Sequence, residues 1–118
     1  GNATLVQADG VALLVDAGFS GRDLERRLGD AGVAPDRLAG ILITHDHGDH
    51  TRGMGVLARR FGIPLYLTRR TAEACAALLT GDEEVRDYAS SGRFSIGPLE
   101  VEAFLEPRRV GALIGTTI

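Results

Sequence analysis

The sequence predicts an α/β fold, a mixed sheet covered by helices. Three observations carry this expectation. Apolar runs of strand length recur at "VALLV" (11–15), "GILIT" (40–44) and "IPLYL" (63–67). Segments with helical spacing of apolar residues alternate with them. Asp9-Gly10 separates the first two apolar runs by the two residues that favour a tight hairpin.

The elements follow in order. Residues 3–8 read as a strand, closed by the Asp9-Gly10 turn. Residues 11–15 are almost wholly apolar, as in a strand buried on both faces, and Asp16-Ala17-Gly18 closes it. Ser20 is an N-cap for a helix over 21–30, with Leu24 and Leu28 on its inner side. Gly32 ends that helix. Residues 38–44 hold the next apolar strand. A helix over 53–61 buries Val56, Leu57 and Phe61, and Gly62 is its C-cap. Residues 63–67 form a strand. Residues 68–79 form a helix with Ala72, Cys75, Ala76 and Leu79 on one face. Residues 80–91 are polar and read as loop or short helix. Residues 94–96 form a short strand. Residues 98–105 alternate, with Leu99, Val101, Ala103 and Leu105 on one side and Glu100 and Glu102 on the other. Residues 110–118 form a last strand. No repeat, low-complexity tract or linker divides the chain, so it is read as one domain or one part of a domain.

Composition bounds the function. The chain has 118 residues, enough for one small core, with 44% hydrophobic, 25% charged and only 5% aromatic residues. The core is therefore mostly aliphatic. A net charge of −3 disfavours a generally adhesive nucleic-acid surface but leaves room for a local basic patch. Cys75 is the one cysteine, so no intramolecular disulfide forms and a reducing compartment suits the chain. No apolar run reaches membrane-spanning length, no signal-peptide pattern is present, and a cytoplasmic location is the default. The chain begins at Gly1, which implies a processed, trimmed or incomplete N-terminus.

Chemistry concentrates in "ILITHDHGDH" (41–50). All three histidines of the chain lie within six residues there, with Asp46 and Asp49 between them. Imidazole nitrogen and carboxylate oxygen suit zinc and its divalent neighbours. The stretch follows a buried strand, and ligands of α/β sheets bind at the C-terminal ends of strands. His45 and His47, at i and i+2, converge on one ion if the loop curls. Asp49 and His50 then point to a second, and Gly48 gives the backbone the freedom to turn. Two such ions acidify a shared water into a hydroxide fit for hydrolysis, with Asp49 the catalytic carboxylate of the set. Asp46, between two ligands, takes a hydrogen-bonding role in the loop. A solvated polar loop explains this density of donors poorly.

His45-x-His47-x-Asp49-His50 after an apolar strand resembles the H-x-H-x-D-H signature of the metallo-β-lactamase superfamily. "LLVDAG" (13–18) resembles its upstream strand-plus-aspartate element, in which Asp16 would brace the ligand loop; a plain strand-end aspartate is the competing reading. The similarity is nearest to a bacterial branch of metal-dependent hydrolases and exonucleases linked to cell-wall regulation. It runs over 1–28 and 41–68 and more weakly through 94–104. Gly1-Asn2-Ala3 resembles the end of that branch's Ser/Gly-rich opening segment.

The resemblance implies half of an αββα sandwich, with residues 1–118 one partial domain lacking the C-terminal half. It implies two divalent ions, zinc first and manganese second. It implies a hydrolase, with nucleic-acid phosphodiesters as the substrate class. A small ester of the thioesterase or lactamase type is the second choice. The family's next histidine falls near Arg108, a residue that cannot ligate a metal. Two protein ligands per ion, where a catalytic zinc usually has three, imply a chain inactive by itself. A non-catalytic metal-binding or structural fragment is the alternative from a different class. A half-sandwich would also expose an apolar sheet face, to be covered by a second copy or a partner chain.

Arg59-Arg60 and Arg69-Arg70 read as solvated helix faces before phosphate contacts. Cys75 reads as a small core residue. "GMG" (53–55) is too short to cradle a phosphate.

Overall fold

The computed structural model describes residues 1–89, 92–103 and 116–118. Strand β1 (Thr4–Ala8) pairs antiparallel with β2 (Val11–Val15), with Ala8 opposite Val11. Asp9 and Gly10 both take positive φ, 52° and 76°. That is the twist a two-residue hairpin needs, and Asp and Gly are the residues that tolerate it.

Helix α1 (Gly21–Asp30) follows, its first turn closed by Ser20, whose hydroxyl accepts from the Asp23 amide at 3.2 Å. Leu24 and Leu28 are fully buried on its inner side. Each such side chain contributes about 1.5–3 kcal/mol by leaving water. Strand β3 (Leu38–Leu42) lies parallel to β2, and β4 (Leu65–Leu67) parallel to β3. Between them run a one-turn helix α2 (Gly48–Thr51) and α3 (Met54–Phe61), ended by Gly62 at φ +64°. Helix α4 (Arg69–Ala74) is capped by Thr68, whose hydroxyl accepts from the Thr71 amide.

Strand β5 (Val85–Asp87) adds a parallel edge, and β8 (Thr116–Thr117) pairs antiparallel with β1 at the opposite edge. The sheet order is β5-β4-β3-β2-β1-β8. A separate hairpin joins β6 (Gly92–Ile96) to β7 (Leu99–Ala103). Mixed strand directions and helical cover match the predicted α/β class.

The sheet has two apolar sides. On the helical side Leu5, Leu14, Ile41, Ile43, Leu65 and Leu67 pack with Leu24, Leu28, Met54 and Leu57. On the other side Leu13, Val15, Leu42 and Tyr66 are buried with Ile96, and Phe94, Leu99 and Val101 pack against them. This corrects the expected bare face. The β6–β7 alternation sends its apolar residues onto the sheet, while Arg93 faces Glu100 and Glu102 on the outer side.

Other expectations also change. Val56 is 48% exposed rather than buried, because α3 turns Met54, Leu57 and Ala58 inward. The helix expected over 68–79 stops at Ala74 and continues as a 3-10 turn over Ala76–Leu78, leaving Ala76 exposed. The polar 80–91 segment contributes β5. Leu105 and most of 110–118 lie outside the described residues. Among the described residues, no helix is long and apolar enough to cross a membrane.

Candidate metal centre

Strand β2 is followed at once by Asp16, a residue of φ +65°, in the left-handed region that costs a non-glycine residue roughly 1 kcal/mol. Contacts on both sides hold it there. Its amide donates to the Leu42 carbonyl at 2.8 Å, continuing the β2–β3 pairing past the strand end. Its carboxylate is 4% exposed as a residue and accepts three hydrogen bonds. Oδ1 accepts from the Thr44 amide at 2.8 Å. Oδ2 accepts from the Thr44 hydroxyl at 2.6 Å and faces His50 Nδ1 at 2.8 Å.

The histidine stretch wraps around this carboxylate. The Ala17 amide donates to the His50 carbonyl at 2.8 Å, and the Gly53 amide to the Ala17 carbonyl at 2.8 Å. Gly18 makes the close approach possible. A Cβ there would lie 1.7 Å from the Asp49 carbonyl oxygen. The Asp49 carbonyl also accepts from the Asn2 amide at 2.7 Å, and the Asn2 carbonyl from the Gly18 amide at 2.9 Å. The first residues, the 16–18 turn and α2 are thus laced together by backbone bonds.

The structure brings His45, His50 and Asp16 together. Each offers an atom suited to a metal, and the three atoms lie within 4.8 Å of one another. The His45 and His50 ring centroids are 4.5 Å apart. Asp49 stands beside them, Oδ2 at 3.6 Å from His50 Nε2, with its side chain 58% exposed. His47 is held apart. Its side chain is 77% exposed, with Nε2 at 3.7 Å from the Asp46 carboxylate. Its backbone carbonyl instead accepts from the His50 amide and the Thr51 hydroxyl. The Asp46 carbonyl accepts from the Cys75 thiol at 3.4 Å, and burial pushes that thiol upward, as for a small packed residue.

Nitrogen and carboxylate donors at this spacing fit a divalent cation. Asp16 is the less suitable ligand of the group. Both its oxygens are engaged by Thr44 and His50, the arrangement that holds metal-binding imidazoles from behind.

Besides Thr44, two residues went unnoticed as site residues in the sequence. Asn2 Nδ2 lies 3.1 Å from Asp49 Oδ2 and 3.4 Å from His50 Nε2. Tyr88 donates its hydroxyl to the Ile43 carbonyl at 2.7 Å, directly under the histidine stretch. Burial, and then the charge of Asp16, push its phenol up to about 12. A turn-like "GNA" and a tyrosine in a polar segment carry no local signal of either contact. Arg60 pairs with Glu25 and Arg69 with Glu73 on the surface, as expected of solvated helix faces, whereas Arg59 is half-buried and pairs with the buried Glu83. Arg108 lies outside the described residues.

The chain is 36% identical over 106 residues to the exodeoxyribonuclease YycJ of Bacillus anthracis, covering 88% of this chain and 40% of that protein. It is 43% identical over 74 residues to the exodeoxyribonuclease WalJ of Streptococcus pneumoniae serotype 2 (strain D39), covering 63% and 28%. The chain therefore spans well under half the length of these relatives. The structure of a metallo-β-lactamase from Cronobacter sakazakii superposes with a TM-score of 0.72 at 21% identity, over 98% of this chain and 50% of that one. The model of the metallo-beta-lactamase superfamily matches residues 1–117, and the chain belongs to that superfamily.

Proposed function

We propose that the chain is the histidine-bearing part of a metal-dependent hydrolase that cleaves nucleic-acid phosphodiesters. The convergence of His45 and His50 on the Asp16 carboxylate carries the reading. The substrate class rests on the exodeoxyribonuclease relatives. His45, His47, Asp49 and His50 are the ligands proposed for two divalent ions, zinc first and manganese second. Bound there, such ions supply an acidified water as nucleophile and stabilise charge developing on the phosphate.

The chain's own residues do the positioning. Asp16 orients His50, Thr44 links Asp16 to His45, and Asn2 holds Asp49 beside His50. Asp49, the most exposed carboxylate of the group, is the one proposed to face substrate. For His47 to join, its side chain must rotate away from Asp46. Four donors shared by two ions give each fewer than the three protein ligands of an ordinary catalytic zinc. The chain by itself is therefore proposed to bind metal weakly and to be inactive until further ligands join.

The test is metal content by mass spectrometry after stripping and reloading with zinc or manganese, beside an assay on a DNA oligonucleotide. Saturable uptake that is lost in H45A and H50A is expected, without turnover. Absence of uptake at any zinc concentration would overturn the metal reading. Metal-dependent cleavage at an ordinary enzymatic rate would overturn the incomplete-site reading.

A further inference from the structure

We infer that Thr44 is a positioning residue through which the Asp16 carboxylate fixes the ring proton of His45 as well as that of His50. The assignment follows from counting protons. A threonine hydroxyl has one hydrogen to give and lone pairs to accept with. Thr44 Oγ1 lies 2.6 Å from Asp16 Oδ2 and 2.8 Å from His45 Nδ1. A carboxylate has no hydrogen to give, so the hydroxyl hydrogen goes to Asp16. The oxygen then meets His45 with a lone pair, and His45 Nδ1 must carry the hydrogen.

The opposite tautomer would fail at one end of this chain. With Nδ1 bare, Thr44 could satisfy His45 only by turning its hydrogen away from Asp16. Two oxygens would then face each other at 2.6 Å with no hydrogen between them. His50 is set directly, because its Nδ1 faces the same Oδ2 at 2.8 Å. The Thr44 amide anchors Oδ1 at 2.8 Å and keeps the carboxylate from rotating out of this role. One buried carboxylate thus places a hydrogen on Nδ1 of both imidazoles, which leaves Nε2 as the basic nitrogen whenever either ring is neutral. The residue separation is 28 for Asp16 to Thr44 and 34 for Asp16 to His50. No local preference of the stretch 44–50 produces it.

The consequence for metal binding rests on the function proposed above, but the tautomers do not. They are read in the metal-free 118-residue chain, labelled with 15N-histidine, by long-range proton–nitrogen correlation well above the ordinary imidazole pKa. The expected wild-type result is a protonated Nδ1 and a bare Nε2 for both His45 and His50. Exposed His47 serves as the internal reference. In T44V, which keeps the shape and loses the hydroxyl, His45 shifts toward the His47 pattern while His50 is unchanged. T44S restores His45. A bare Nδ1 on wild-type His45 overturns the inference, as does a T44V spectrum in which His45 keeps its Nδ1 proton. If T44V does not fold, the wild-type and T44S spectra still decide. Zinc uptake is measured in parallel. Correct tautomers without uptake would sink the metal reading and leave this inference standing.

Discussion

Asp16 Oδ2 and His50 Nδ1 lie 2.8 Å apart across 34 residues of sequence, and both groups are largely withdrawn from solvent. Removing the carboxylate leaves the Thr44 amide and hydroxyl and His50 without their acceptor. D16A is expected to lose about 2–4 kcal/mol of stability, since several buried donors are orphaned together. It should also weaken zinc uptake about 10–100-fold. D16G should be about 1 kcal/mol less damaged than D16A, because glycine accepts the positive φ. Thermal unfolding and zinc titration of both variants check this. Equal stability of D16A and D16G would argue against backbone strain at this position.

Gly18 has no room for a side chain, its Cβ direction pointing into the Asp49 carbonyl. G18A is expected to push the stretch 47–50 away from the 16–18 turn, at a cost of about 2 kcal/mol or more. Urea unfolding would measure that loss. Zinc uptake should fall with it, since the displaced segment carries Asp49 and His50.

Asn2 joins Asp49 to the site from an exposed position. N2A should therefore cost little stability, about 0.5–1 kcal/mol. It should still lower metal affinity several-fold, because Asp49 is left free to rotate. Calorimetric titration with zinc separates the two effects. A variant that binds as tightly as the parent would remove Asn2 from the site.

Tyr88 makes stability sensitive to alkali. Burial and the Asp16 charge hold its phenol up at about 12 in the folded chain, above the ordinary 10. The unfolded chain ionises first. The stabilisation tied to the neutral phenol is thus complete below about pH 10 and is lost as pH rises toward 12. Y88F should cost about 1 kcal/mol at neutral pH through the missing bond to the Ile43 carbonyl. Its unfolding midpoint should fall less steeply than that of the parent between pH 10 and 12.

Glu83 acts at the other end of the pH scale. Burial alone would raise its carboxyl, but the Arg59 guanidinium and the amides of Thr80, Glu83 and Gly81 outweigh that and hold it at about 2. With its folded pKa below the ordinary 4.5, its contribution is present above about pH 4.5 and disappears as pH falls through 2. E83Q should be about 1–3 kcal/mol less stable than the parent at pH 7. Unfolding curves recorded down the acid range should bring the two proteins together, and a gap that stayed constant to pH 2 would contradict this.

Much of the scaffold was legible in the sequence because its signals are local. Asp9-Gly10 fixes a hairpin through two positive φ angles, Ser20 caps α1 three residues from its partner, and Gly62 ends α3. Their partners lie within a few residues, so composition and order suffice. Where several side chains compete for the interior, local spacing was less informative. Val56 was expected inward and lies outward, since the rotation of α3 is set by what α1 and the sheet leave free.

The sequence by itself determined that a cluster of imidazoles and carboxylates, donors of the kind that suit divalent metals, follows a buried strand. Only the tertiary structure decided which members of the cluster meet. Neighbours at i and i+2 were expected to pair, yet His45 meets His50 and His47 turns outward beside Asp46. The cause is that α2 begins at Gly48, taking Asp49 and His50 into a helical turn while His47 supplies that turn's backbone acceptor. Asp16 and Asn2 enter from segments 28 to 47 residues away, through contacts created when β2 and β3 pair and Gly18 admits the Asp49 carbonyl. Such contacts depend on register and close approach between distant segments, and no periodicity within the stretch 41–50 encodes them.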